Sequence, residues 1–330
     1  MDNRRRGVST ARVAWRPCAD RFDRWLGTRP AFAGTVASTF ALLLCLTGAG
    51  QAAAADADPR LAIVEGGATV VDGLRSYTAV PGMRLAPGAL LDTGAATTLV
   101  RVEWTDGNAL DLGPASRVML APALAAPAGA PALRPPRFYL LRGWAKHTQT
   151  AADAGQWTPA LALPGLPGVV VSHVEAQRSG VFVESGAAQL VERLARPSAT
   201  LNLRAGTSAS LAGSDHAQTA ARPPPELLAQ MPRSFRDSLA RHGALFSGAP
   251  VAAKPLPDAP SFALLQDWLD AEPALQHGLA RRFAPLLHDP KFRAAMLAHL
   301  SSHAGAHPEW DALVHPKPVH PRPAASAVLR

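Results

Sequence analysis

From Leu61 to about residue 212, short apolar runs alternate with turn residues. The runs are Leu61–Val64, Thr69–Val71, Tyr77–Val80, Thr97–Trp104, Ala109–Leu112, Arg117–Leu120, Phe138–Trp144, Val169–Ser172, Gly180–Val183, Ala188–Glu192 and Thr200–Leu203. A recurrence every roughly 8–12 residues predicts antiparallel strands in a sandwich, barrel or solenoid. Val102 and Trp104 alternate with Arg101 and Glu103, which puts the apolar pair inward and the charged pair outward. Thr105-Asp106-Gly107-Asn108 then supplies a hairpin turn, and Leu110 and Leu112 return on one face.

The pattern changes at Pro223-Pro224-Pro225, a stiff linker. Ser234-Phe235-Arg236-Asp237 has the form of a capping box and predicts a short helix to about His242. Ala249 to Pro260 reads as extended. Ser261 is placed to cap a helix carrying Phe262, Leu265, Trp268 and Leu269. Leu275, Leu279, Phe283 and Leu287 repeat every four residues, an amphipathic stripe that Pro285 should kink or end. Asp289-Pro290 reads as N-cap then first helical residue, opening a stripe of Phe292, Met296, Leu297 and Leu300. The expected fold class is therefore mainly β then α. An antiparallel β domain (56–215) is followed by a Pro-rich linker with one short helix (216–260), a small helical domain (261–316) and a disordered tail (317–330).

Residues 1–30 are Arg-rich, and residues 31–49 are apolar without a charge. Ala53-Ala54-Ala55 follows, as a cleavage site requires. Residues 1–55 are thus expected to be a signal peptide, cleaved before Asp56. The alternative is an inner-membrane anchor formed by residues 31–49, about the length that spans a bilayer. Leu42-Leu43-Leu44 before Cys45 lacks the small residue that lipid attachment wants. In either case residues 56–330 are expected in the periplasm, and a processed chain is expected to keep no stable membrane span.

Charge changes the picture less than the isoelectric point of about 10.4 suggests. Eight of the 33 Lys and Arg lie in residues 1–55, and the remaining chain has 25 basic and 22 acidic side chains. A body so balanced has no strong drive toward polyanions, so nucleic acid is not an expected partner. Cys18 and Cys45 also lie in residues 1–55, which leaves no thiol chemistry in the processed chain. The 31 Pro and 26 Gly favour turns and short elements.

Pro81-Gly82, Leu85-Ala86-Pro87-Gly88 and Leu91-Asp92-Thr93-Gly94 form a run of spaced glycines. Val100–Trp104, Asp106-Gly107, Leu110–Leu112 and Ser116–Leu120 continue it as strand, turn, strand, turn, strand. This order resembles the FecR-like periplasmic domain. Leu140–Gly143, Val181–Glu184 and Leu203–Gly206 are similar to later steps of the same pattern, although the Gly-Thr-x-Phe step stands here as Ser179-Gly180-Val181-Phe182. The resemblance implies an antiparallel β domain in a non-catalytic sensory or interaction protein, linked to envelope signalling. FecR-like regulators typically place a sigma-binding segment before a membrane span. Residues 1–30 are too few for such a module, so an envelope protein partner is expected rather than sigma-factor control.

Candidate chemistry is sparse. There is no G-x-G-x-x-G, no Walker lysine, no Gly-x-Ser-x-Gly elbow and no S-x-x-K, so neither an enzyme nor a cofactor is expected. His299, His303 and His307 lie four apart, but Gly305 and Pro308 interrupt the helix, and they read as solvated helix-end histidines rather than metal ligands. Arg281, Arg282, Lys291 and Arg293 read as part of a mixed solvated face. Trp104 is expected in the core. Trp144, Trp157 and Tyr139 are the candidate ligand or partner contacts, and a second reading makes the chain a cell-wall or glycan-binding protein that stacks sugars on these rings.

Overall fold

The computed structural model describes residues 59–124, 133–152, 155–195, 197–246, 248, 251–303 and 305–315. The expected signal segment and cleavage site, both cysteines and the 317–330 tail lie outside the described residues. All described residues belong to one compact unit, Ala54–Arg330.

The β half opens with β1 (Arg60–Glu65), β2 (Ala68–Asp72), β3 (Arg75–Thr78), β4 (Leu90–Thr93), β5 (Leu99–Glu103), β6 (Ala109–Leu112) and β7 (Arg117–Leu120). It continues with β8 (Phe138–Gln149), β9 (Gln156–Trp157), β10 (Leu161–Leu163), β11 (Gly168–Val174), β12 (Arg178–Glu192), β13 (Thr200–Arg204), β14 (Ser208–Ala212) and β15 (Gln218–Ala220). A two-residue strand, β16 (Lys254–Pro255), returns to pair with β3. The pairings form two layers. The front runs β1-β5-β6-β8-β11-β12-β14-β15. The back runs β16-β3-β2-β4-β7-β8-β9-β10-β12-β13. Pairing is antiparallel except between β8 and β9.

β8 and β12 belong to both layers. Each bends from one to the other at a glycine with positive φ, Gly143 at 88° and Gly186 at 73°. No other residue fits there. A Cβ on Gly143 would lie 2.5 Å from Ser116 Cα, and one on Gly186 would strike the Pro167 carbonyl.

The side-chain period of two explains the packing. In the back layer, Val70, Leu91, Val118, Leu120, Phe138 and Leu140 face the front layer, where they meet Leu61, Val100, Val102, Trp104, Leu110 and Leu112. Trp104 is thus a core residue, 7% exposed. A second inter-layer cluster holds Leu161, Val170, Val181, Val183, Leu190 and Leu203. The alternate back-layer residues, Val71, Leu90, Met119, Tyr139, Trp157, Ala162 and Val191, point the other way and are also buried.

Helices α2 (Phe262–Leu269), α3 (Pro273–Phe283), α4 (Pro290–Ser302) and α5 (Pro308–Val314) cover that outer face, while α1 (Pro225–Gln230) lies by the front layer, where Leu227 joins Leu99, Trp144 and Val171. Leu265, Trp268, Leu275, Leu279, Phe283, Met296 and Trp310 share one apolar cluster with the seven back-layer residues just named. The step at residue 261 is therefore a change of secondary structure, and the hydrophobic cluster runs across it. The capping residues act as the sequence predicts: Ser261 Oγ accepts from the Leu264 N–H at 3.3 Å, and Asp289 from the Lys291 N–H at 2.9 Å. The α3 stripe shifts from Leu287 to Leu286, because the chain tightens into a 3₁₀ turn after Phe283 and i+3 replaces i+4. Among the described residues, no helix is long and apolar enough to cross a membrane.

The outer face of the front layer has a different cover. Met231 and Phe235 pack on Leu99, Trp144 and Val171. Arg101 and Glu103 do point away from the inter-layer core, but the linker roofs them over, and each is 5% exposed. Arg101 pairs with Glu103 at 2.8 Å and with Asp111 at 2.9 Å. Glu103 accepts the N–H groups of His242 at 3.0 Å and Gly243 at 2.5 Å. Lys146 binds Glu184 at 2.8 Å and the Phe235 carbonyl at 2.6 Å. Ser234 is not the N-cap that its capping-box pattern predicts. A 3₁₀ turn, Arg233–Arg236, starts at Pro232, and the Ser234 hydroxyl donates to the Thr98 carbonyl at 3.0 Å. Tertiary contacts with the sheet outweigh the local cap.

Candidate functional site at the strand bend

The bend at Gly143 is locked by hydroxyls. Ser116 Oγ accepts the Trp144 N–H at 2.8 Å and donates to a backbone carbonyl, with those of Trp144 and Gly113 each 3.0 Å away. Thr93 Oγ1 in turn accepts the Ser116 N–H at 2.7 Å. Trp144 is thereby fixed beside His173, its partner across β8 and β11. The two rings stack, with centroids 3.8 Å apart and 11° between planes. Phe235 meets the indole edge-on at 6.5 Å.

Next to this stack lies a cleft of about 930 Å³. One wall is the hairpin between β11 and β12, with Glu175, Gln177 and Arg178. The opposite wall is the end of α2 and the turn after it, with Asp267, Asp270, Ala271 and Glu272. Leu141, Arg142, Val174, Leu211 and the exposed Leu194 complete it. The cleft between them exists only because the helices pack on the sheet.

Most of its charges are paired. Asp267 takes Arg142 at 2.7 Å and Arg117 at 2.9 Å, and Arg117 also binds Asp92 at 2.6 Å. Burial raises the pKa of Asp92, against the pull of Arg117 and Arg142. Glu272 is held by both terminal nitrogens of Arg193, at 2.8 and 2.6 Å. Burial lowers the pKa of His173, against Glu175, so the imidazole is neutral at neutral pH. Glu175 and Arg178, at the hairpin tip, make no ion pair among the described residues. Such a cleft presents apolar walls with one acidic and one basic group at the rim, an arrangement suited to binding.

Of the three aromatic contacts expected from the sequence, only Trp144 lines this cleft. Tyr139 and Trp157 are 0 and 1% exposed and sit under the helices. Arg193 lies over both rings, at 5.9 and 4.8 Å, and burial pushes the Tyr139 phenol well up, with Glu272 adding to it. Trp157 also borders a hollow of about 370 Å³ with Arg134 and Gln189, but offers almost no surface to it. Neither ring can serve as a stacking platform, because each spends its faces on the core. His173, Glu175 and Arg178 carried no sequence signal beyond a short polar turn between two apolar runs.

Two other expectations change. His299 and His307 are buried, not solvated, and lie beside Asp270, while His303 is exposed. Burial lowers the pKa of His307, Asp270 opposes it, and the imidazoles of His299 and His303 add to it. Arg282 is not a free surface cation either. It donates to the carbonyls of Gly88 at 2.6 Å and of Val71 and Gly73 at 3.1 Å, pinning α3 to the sheet.

No protein-family model matches the chain, and no curated protein matches it. Two solved structures of a "putative anti-sigma factor" from Parabacteroides distasonis are similar to part of it. They show 12 and 13% identity and TM-scores of 0.33 and 0.32 over 42% of this chain. The chain spans 62 and 63% of their length. Similarity at that level identifies neither family nor function.

Proposed function

We propose that the chain is a non-catalytic interaction module of the cell envelope, in the manner of the FecR-like periplasmic domains that residues 81–120 resemble. Its cleft receives a peptide segment of an envelope protein. The observation that carries this reading is the cleft itself, about 930 Å³ with largely apolar walls and a Glu175–Arg178 tip. The internal ion pairs leave backbone recognition and apolar burial as the means of binding. One acidic and one basic side chain at the rim, not paired with each other, suit a chain bearing both charges rather than a polyanion. Sugar stacking is disfavoured, since all three rings it would use are buried and His173 covers a face of Trp144.

A photo-cross-linking residue in place of Leu194, which is 49% exposed on the cleft, tests the proposal in intact cells. The expected result is a protein adduct at position 194 that Arg178→Glu abolishes and that a probe at Leu245, outside the cleft, does not give. Absence of a protein adduct, together with co-sedimentation of the purified protein with peptidoglycan, would overturn it in favour of glycan binding.

A further inference from the structure

Three helix ends meet at one point of the helical cover. Asp270 caps the C-terminus of α2, His299 lies in the last turn of α4, and His307 immediately precedes α5. Asp270 Oδ1 lies 2.6 Å from His299 Nε2 and 3.2 Å from His307 Nε2, and the three donor atoms all fall within 4.8 Å of one another. The imidazoles are 5 and 6% exposed and their rings stack at 5.3 Å. His303 stands beside them, its ring 4.5 Å from that of His299 and 6.2 Å from that of His307.

We propose that Asp270, His299 and His307 form a binding site for a divalent transition metal of the zinc class, with His303 or a water as the fourth ligand. Two imidazoles and a carboxylate are a borderline donor set that suits zinc, whereas calcium and magnesium take oxygen. Ligands at about 2.0–2.1 Å from a tetrahedral zinc stand roughly 3.3 Å apart. The Asp270–His307 edge of the present triangle, 3.2 Å, is close to that, and side-chain rotations would open the 2.6 Å Asp270–His299 edge and close the third.

Metal at Nε2 places the proton of each neutral imidazole on Nδ1. At His307 this proton faces the Gln276 amide, whose nitrogen lies 3.3 Å from Nδ1. The amide then turns to offer Oε1, giving up its bond to the Ala271 carbonyl. The effect of the metal is to join α2, α4 and α5 at one point. Asp270 also lines the cleft, so loading fixes the cleft's helical wall.

The test uses the full-length protein, stripped with chelator and titrated with zinc against a chromophoric competitor, then with cobalt(II) followed by its visible absorption. The expected result is one zinc per chain, tetrahedral cobalt bands and a melting temperature raised by zinc. His299→Ala and His307→Ala should lose at least about 100-fold in affinity, beyond the 10–100-fold cost of disturbing an outer partner. Asp270→Asn keeps the size of a half-exposed side chain, folds with or without metal, and should lose the cobalt bands. His277→Ala, outside the cluster and paired with Glu309, should bind as the wild type does. Failure of the wild type to bind zinc stoichiometrically, or an affinity unchanged in Asp270→Asn, would overturn the proposal.

Discussion

The two outer faces of the sandwich are both covered, by opposite means. On the back, α2–α5 bury Val71, Leu90, Met119, Tyr139 and Trp157 under an apolar layer. On the front, residues 231–246 lie over Arg101, Glu103, Asp111 and Lys146 and are fastened by charged hydrogen bonds. The first cover is non-directional and scales with area. The second depends on each charge keeping its partner, because a buried ion that loses one is costly. One fold can therefore have one cover held mainly by apolar area beside one held mainly by charge, although Asp267, Glu272 and Arg282 also tie the first to the sheet.

The largest effect should come from the apolar cover. Trp268, 1% exposed between sheet and helices, when changed to Ala should cost about 3–5 kcal/mol, a large share of the roughly 5–15 kcal/mol that stabilises a domain. Urea denaturation measures it. A loss below about 1 kcal/mol would mean that the helices are appended to the sheet rather than part of its core.

Glu103→Gln should have a smaller effect. It keeps the shape but removes the charge that Arg101 and two linker N–H groups share, at a cost of about 1.5–3 kcal/mol. New proteolytic cleavage should appear between residues 236 and 248 while the helices stay protected. Cleavage in both places at once would show that the covers are coupled, and the contrast between them would fail.

Acid should give the mildest and most selective change. Burial raises the Glu103 carboxyl, but the Gly243 and His242 N–H groups and Arg101 outweigh it and bring its pKa below the ordinary 4.5. Its contribution is present above that value and is lost as pH falls through the lower folded-state pKa. Asp111 has the opposite sign. Burial lifts it to about 6 despite Arg101, so its contribution is full below 3.8 and fades as pH rises through 6. Protection of the His242 and Gly243 amides, corrected for the intrinsic pH dependence of exchange, should therefore hold between pH 7 and 5 and fall below about 4.5. Protection still unchanged at pH 3 would show that the Glu103 charge does not fasten the linker.

Much of the β half was legible in the sequence. Ala109–Leu112 and Arg117–Leu120 are strands with the expected limits, since their turns are marked by Asp-Gly and Pro-Ala-Ser. β12 reads as two runs because Glu184-Ser185-Gly186-Ala187 looks like a turn. It is one strand whose middle, Glu184–Ala187, is exposed where it passes between the layers. Alternation shows which way Arg101 and Glu103 point but not whether water or another segment lies there. For the same reason Tyr139 and Trp157, outward from the first core, read as available when the helices bury them. The cleft was illegible, since Trp144 and Asp267 are joined only by the packing of helices on sheet.

That arrangement also has a temporal side. Apart from the two-residue β16, the back layer is complete in sequence at Arg204, yet its cover ends at Val314. As the chain emerges N-terminus first at about 5–20 residues per second, the ring-bearing face of Tyr139 and Trp157 waits roughly 5–20 s for its last helix. For that interval the nascent sheet is adhesive. Its safe arrival then depends on what shields it, a holding chaperone or delayed strand pairing, more than on the stability it finally attains.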